Sequence, residues 1–112
     1  MTRFTHPALD DVPLASVLHA LSEPARLAIV RRLDEDAKAG GGGLSCLQGA
    51  CAGMPRATVS NHHAVLRSAG LVEGRKQGTS VIHRLRRDEV DARFPGLLDA
   101  ILAAGQGESA LQ

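Results

Sequence analysis

Residues 55–86 read PRATVSNHHAVLRSAGLVEGRKQGTSVIHRLR, and the fold follows from how this stretch divides. Val59, Val65, Leu66 and Ala69 recur at helical spacing, which predicts a helix over Ala57–Ala69. Gly70 then stops it, because the left-handed position after a helix favours glycine. Two strand-like runs follow, Leu71–Val72 and Ser80–Leu85, around a turn-like segment from Arg75 to Thr79. A helix followed by a hairpin with a basic tip is the layout of a winged helix. Such a helix can lie in a DNA major groove while the basic loop touches phosphate beside it.

Charge supports this division. Arg56–Arg87 holds seven basic residues (Arg56, Arg67, Arg75, Lys76, Arg84, Arg86 and Arg87) against one acid, Glu73. The rest of the chain holds six basic and eleven acidic residues. A whole-chain charge of +1 therefore hides a polarised molecule. Phosphate contact needs local positive charge rather than a high overall pI. The plainer explanation of a charge run, a solvated surface, does not account for its overlap with a helix–hairpin pattern.

A chain of 112 residues fits one domain over 1–112 and can bury a modest core without metals or disulfides. That core is aliphatic, since Phe4 and Phe94 are the only aromatic side chains of the Phe, Tyr and Trp class. This argues against single-strand or RNA readers, which stack bases on aromatic rings. No apolar run approaches the roughly 20 residues of a membrane span, and the N-terminus MTRFTHPALDD lacks a signal-peptide core. A cytoplasmic location is expected, with Cys46 and Cys51 reduced.

Around the central stretch the expected order is mainly α, about five helices with a small hairpin wing. Asp11 is the expected cap of a first helix, with Pro13 in its first turn and Leu14, Val17, Leu18 and Leu21 as its stripe. Ser22 is the expected cap of a second helix, which buries Leu27, Val30 and Leu33 and leaves Arg26, Arg31 and Arg32 off that stripe, solvated in the favoured reading or reaching DNA backbone in the alternative. Lys38–Gly43 reads as a flexible loop. Leu44–Gly53 reads as a short third helix, the support of a helix–turn–helix. Asp88–Glu89 opens a last helix that Pro95 should break, with Val90, Phe94, Leu97, Leu98, Ile101 and Leu102 at helical spacing. The ordered core is expected over 12–104, with a frayed tail from 105 to 112. A small wing cannot cover all of the last stripe. Leu14, Val17, Leu18, Phe94, Leu97, Leu98 and Ile101 are therefore the expected surface of a homodimer through the first and last helices, the plain alternative being that both helices complete the monomer core.

These residues resemble the ArsR/SmtB family of bacterial repressors. The resemblance lies in Leu18–Leu33, in TVSNHHAVLRSAGLV (Thr58–Val72) and in GRKQGTSVIHRL (Gly74–Leu85), and it extends over most of residues 14–104. It implies a winged helix-turn-helix homodimer that binds a palindromic double-stranded operator and is released by an inducer. It places Thr58, Ser60, Asn61 and His62 on the groove-facing part of the reading helix. The side chains agree, since Ser and Thr suit phosphate or base edges and Asn suits adenine. Arg75 and Lys76 are the expected wing contacts and Arg84 a weaker one, with Arg56 and Arg67 the further basic candidates. His63 stands where the family has an apolar residue. It shares a face with Val59 and Leu66 and reads as packed.

The signal is read from the cysteines. Metal-sensing relatives carry a Cys-x-Cys pattern where this chain has Leu44-Ser45-Cys46, so only Cys46 matches. The expected last helix offers Asp91 and Asp99 but no histidine, a poor transition-metal set. No cofactor and no metal in the familiar form are expected. A nonstandard site using Cys46, Cys51 and His6 or His19 is the metal alternative, and a winged helix used for protein contact is another. Five residues apart on a helix, Cys46 and Cys51 would have Cα atoms about 8–9 Å apart, against roughly 4.4–6.8 Å for a disulfide. Oxidation would then deform the support helix, which makes thiol modification the favoured signal. Inert buried thiols are the plain alternative. An enzyme is not expected: Gly40–Gly43 is followed by no Gly-Lys-Ser/Thr, and no acid–base pair stands out.

Overall fold

The computed structural model describes residues 6–45 and 53–109. After a 3-10 turn at Leu9–Asp11 come α1 (Leu14–Leu21), α2 (Pro24–Lys38), β1 (Leu44–Ser45), α3 (Arg56–Ser68), β2 (Val72–Gln77), β3 (Ser80–Leu85), α4 (Arg87–Arg93) and α5 (Leu97–Ser109). The strands form one antiparallel sheet in the order β1-β3-β2. The fold is the winged helix-turn-helix expected, mainly α with a small β wing.

The expected third helix fails at its start. Leu44 and Ser45 are a strand paired with His83 and Ile82 of β3. Leu44 is buried, and Gly43 before it lets the chain approach β3: a Cβ there would meet the Ile82 side chain at 2.6 Å and the His83 carbonyl at 2.8 Å. Residues 46–52, with Cys46 and Cys51, lie outside the described residues.

Two helix caps differ from expectation. Ser22 closes α1 instead of opening α2: its N–H and its hydroxyl both donate to the His19 carbonyl, at 3.2 and 2.7 Å. Glu23 caps α2, its carboxylate accepting from the Ala25 N–H at 3.0 Å, with Pro24 in the first helical position. Asp11 belongs to the 3-10 turn, and α1 starts without a side-chain cap. Leu9 and Val12 are buried instead, which holds that turn beside Gly70 and α4.

The end of α3 follows the sequence closely. Gly70 has φ +76°, and the Leu71 N–H reaches back to the Leu66 carbonyl at 3.1 Å. Orphan carbonyls of the last turn are thereby satisfied. A Cβ at Gly70 would also press on Val12 and Leu9 at 3.2–3.3 Å. The hairpin turn is tighter than expected: β2 runs through Gln77, so Arg75 and Lys76 are strand residues and the tip is Gly78-Thr79.

The core joins Val17, Ala20 and Leu21 of α1 to Ile29, Val30 and Leu33 of α2, Val59 and Leu66 of α3, Leu71, Val72 and Leu85 of the wing, and Val90, Leu98 and Leu102 behind it. Ile29 takes the central place in α2 that the sequence reading gave to Leu27, which is only partly buried. Val17 and Leu98 are wholly buried, so neither has surface left for a dimer contact. Pro95 breaks the last helix as expected, between Arg93 and Leu97. α5 then continues to Ser109, past Ala104 where the apolar stripe ends, so the tail is helical through that point. Lys38 is the last residue of α2, so the expected loop starts at Ala39; it folds back on the helix, the Asp36 carboxylate accepting from the Gly43 N–H at 3.0 Å.

Candidate nucleic-acid interface

The first two turns of α3 expose Arg56, Ala57, Thr58, Ser60 and Asn61, while Val59 faces the core. His62 is half-buried. Thr58 and His62, four residues apart, share one side of the helix. The next histidine is on the opposite side. His63 is 2% exposed, and its Nδ1–H donates to the Val59 carbonyl at 2.9 Å.

The wing packs beside α3 on this buried side. His83 of β3 is also 2% exposed, and its ring lies 4.2 Å from that of His63. Arg67 donates to His83 Nε2 at 3.1 Å. Gly74, opposite His83 in the hairpin register, gives its N–H to His6 Nε2 at 3.0 Å. Burial chiefly, then the nearby His63, Arg67 and His6, pushes the His83 pKa down to about 3. Burial also lowers that of His63, against a smaller opposing effect of its bond to Val59. Both rings are neutral at pH 7.

The expected basic contacts separate accordingly. Arg56, Arg75 and Lys76 are exposed. Arg84 is exposed but its Nε lies 3.1 Å from a Glu73 oxygen. Arg67 is drawn to His83, between helix and wing. Arg86 is 8% exposed, paired with Glu89 at 2.8 Å and donating to the Pro7 carbonyl at 2.8 Å. Arg87 pairs with Asp34 and Asp91 at 3.0 Å and with Asp99. These last two bind α2, α4, α5 and the N-terminal segment together, so the basic run overstates the charge that the wing face presents.

The sequence reading put Arg26 in solvent, and the structure buries it at 9% exposure. It sits three, four and seven residues before Ile29, Val30 and Leu33, the spacing of the buried stripe, and that spacing was the available signal. Its Nε donates to the Ala20 carbonyl at 2.7 Å, and its Nη1 faces His62 Nδ1 at 3.3 Å. His83 lies two residues before buried Leu85 on β3 and so shares its side, the signal for its inward position.

Leu14 and Leu18 of α1 are each 45% exposed, and Phe94, Leu97 and Ile101 are partly buried against the core. Among the described residues, no three His, Cys, Asp or Glu side chains are placed to hold a metal ion, and no helix is long and apolar enough to cross a membrane.

Comparison with known proteins agrees with this geometry. A family model described as a helix-turn-helix domain matches residues 21–75. The chain is 36% identical over 93 residues to the HTH-type transcriptional regulator YceK of Bacillus subtilis, covering 82% of this chain and 89% of that one. It is 34% identical over 90 residues to the HTH-type transcriptional repressor SmtB of Mycobacterium tuberculosis, covering 80% of this chain but 61% of the repressor. Among solved structures, it is similar to the homodimeric winged helix-turn-helix DNA-binding domain Mb0332 of Mycobacterium bovis, described as a possible ArsR-family regulator. That match has a TM-score of 0.56 and 26% identity, and covers 95% of this chain and 93% of that one. All three are described as regulators or DNA-binding domains, not as enzymes.

Proposed function

The chain belongs to the ArsR/SmtB family of winged helix-turn-helix transcriptional regulators, and from that premise we propose that it is a homodimeric repressor of a palindromic DNA operator. The observation that carries this is the exposed first half of α3, Arg56, Thr58, Ser60 and Asn61 with His62 beside them, next to a wing strand exposing Arg75 and Lys76. The helix offers hydrogen-bonding groups for base edges, and the wing offers charge for phosphate.

A dimer follows from the apolar surface left outside the core. Leu14 and Leu18 of α1 stand exposed, and Phe94, Leu97 and Ile101 keep part of their surface. A two-fold dimer sets two reading helices about 34 Å apart, one turn of DNA. In vitro selection from a random duplex pool tests the reading. It should enrich an inverted repeat with half-sites about one turn apart, and Leu14→Glu with Leu18→Glu should give a monomer that binds it at least tenfold more weakly. A pool that enriches nothing, or a chain monomeric at micromolar concentration, would overturn it.

The signal we favour is oxidation or alkylation of Cys46, Cys51 or both, releasing DNA. Its support is where the cysteine segment is tied. It is bounded by Ser45, which pairs with β3, and by Gly53, Met54 and Pro55, directly before α3. A change in its length or packing acts on both wing and reading helix. The metal alternative loses one ligand here, because His6 Nε2 already accepts from Gly74. Operator binding by wild type, Cys46→Ser and Cys51→Ser with and without diamide decides the point. Wild type should lose binding and the variants keep it; an equal response in all three sinks the thiol reading.

A further inference from the structure

We propose that Arg26 is a positioning residue that fixes the tautomer of His62, so that α3 presents an Nε2–H donor to a hydrogen-bond acceptor on DNA. The proposal deepens, and rests on, the reading of α3 as the groove-facing helix.

The argument starts from what a guanidinium can do. It carries five N–H donors in one plane and accepts nothing, and it does not lose its proton in proteins. Arg26 is buried at 9% exposure between three helices. Two of its nitrogens serve the end of α1: Nε reaches the Ala20 carbonyl at 2.7 Å and Nη2 the His19 carbonyl at 3.5 Å. Both carbonyls lie in the last turn of α1, where the helix end is partly negative; that of His19 also accepts from Ser22, while four residues beyond Ala20 stands Pro24, which has no N–H to offer. These contacts orient the guanidinium plane. Nη1 is then set against His62 Nδ1 at 3.3 Å.

The consequence is electronic as well as positional. An N–H of Arg26 facing Nδ1 requires that Nδ1 be the bare nitrogen of a neutral imidazole. The ring proton must therefore sit on Nε2, at the far edge of the ring. A proton on Nδ1 would set one N–H against another in a partly buried gap. His62 shares its side of α3 with exposed Thr58, so the edge left over belongs to the proposed DNA face. An Nε2–H selects acceptors: a purine N7, guanine O6 or a phosphate oxygen. The adjacent His63 shows the opposite arrangement, its Nδ1 being the protonated nitrogen because Val59 offers only a carbonyl. Two neighbouring histidines are thus set in different tautomers by what each meets, one by a cation on α2 and one by its own helix backbone.

The test has a DNA-free arm and a DNA arm. Long-range 1H–15N correlation spectra of the free protein report which ring nitrogen carries the proton. We expect His62 in the Nε2–H form, with Nδ1 showing the shift of a hydrogen-bonded acceptor, and loss of that shift in Arg26→Met. A wild-type His62 protonated on Nδ1, or with no acceptor signature there, overturns the proposal even if Arg26→Met fails to fold. The DNA arm uses the duplex enriched by the wild-type protein. His62→Gln, whose amide can stand near the Nε2 position, should stay within about threefold of wild type, while His62→Asn should lose about tenfold. Arg26→Met should lose a similar factor, and little more when combined with His62→Asn, because both remove one interaction. Additive losses would show that Arg26 acts independently of His62 and would overturn the proposal. Replacing purines by 7-deazapurines (no N7), guanine by 2-aminopurine (no O6), or phosphates by methylphosphonates identifies the acceptor. One of the three sets must abolish the difference between wild type and His62→Asn, and a difference that survives all three overturns the donor claim. Failure to enrich any duplex instead defeats the DNA reading itself, and the spectra still report the tautomer.

Discussion

The helix–hairpin unit has two faces with similar chemistry and different fates. On the outer face, Arg56, Thr58, Ser60, Asn61, Arg75 and Lys76 are exposed. On the inner face, His63, Arg67 and His83 are folded against one another, and just beyond the hairpin Arg86 is closed on Glu89 and Pro7. Both faces are polar and rich in positive or potentially positive groups. What separates them is burial and partners, not residue type. A cation with a nearby carboxylate or carbonyl holds the fold together, while an exposed one is available to phosphate. Substitutions on the inner face should therefore cost stability, and those on the outer face should cost DNA affinity.

The largest expected effect is an acid loss of stability from the inner face. The His83 pKa is about 3 in the folded chain against an ordinary 6.5. Between those values the unfolded chain takes up a proton that the folded one refuses. Stability from His83 is thus complete above pH 6.5 and is lost as pH falls, by about 1.4 kcal/mol per pH unit. The drop from pH 6.5 to 4.5 should be about 2 kcal/mol from this group. His63, lowered in the same direction, adds to it. Urea unfolding at the two pH values measures this, and His83→Gln should flatten the slope. A slope equally steep in the variant would remove His83 from the inner face's account.

Arg86→Ala comes next. It leaves the Pro7 carbonyl without its 2.8 Å donor and breaks the Glu89 pair. Glu89 is 56% exposed on its side chain and can return to water, so the cost should be about 2 kcal/mol rather than that of a stranded buried charge. The folded variant should bind the enriched duplex as wild type does. Weakened binding at unchanged stability would move Arg86 to the outer face.

How far the sequence showed this division depends on the distance of each partner along the chain. α3, its glycine stop and the hairpin were legible because their determinants are local: helical spacing over Val59–Leu66, Gly70 just beyond, and the strand-like runs on either side of a turn-like segment. The packed state of His63 was legible for the same reason. Arg26, Arg86 and Arg87 were not, because they meet His62, Pro7 and Asp34 at separations of 36, 79 and 53 residues. Nothing local marks an arginine as already paired. Leu44–Ser45 was misread as helix because a two-residue strand has no period of its own, only the register that β3 supplies. Val17 and Leu98 were assigned to the dimer surface because spacing gives the face of a helix but not how deep that face lies.

On the outer face, Arg75→Ala and Lys76→Ala should each weaken duplex binding across sequences and lower the slope of log affinity against log salt by about 1. Stability should stay within about 0.5 kcal/mol, since both side chains are exposed. An unchanged salt slope would mean that the wing does not touch phosphate.

The smallest effect concerns Arg84, which lies between the two faces. Arg84 and Glu73 are register partners across the hairpin, with Nε 3.1 Å from the carboxylate and side-chain exposures of 54% and 39%. So exposed a pair contributes at most about 1 kcal/mol to the fold. It nevertheless offsets the positive charge of its site, because a phosphate near Arg84 also meets Glu73. Glu73→Gln keeps the shape and removes that charge. If Arg84 belongs to the outer face, the variant should bind duplex about two- to threefold more tightly at 50 mM salt, with the gain fading above 0.3 M as screening shortens its reach. Arg84→Ala should reverse it. If instead Glu73→Gln lowers stability and leaves binding unchanged, the pair serves the hairpin, and Arg84 joins Arg67 and Arg86 on the inner side.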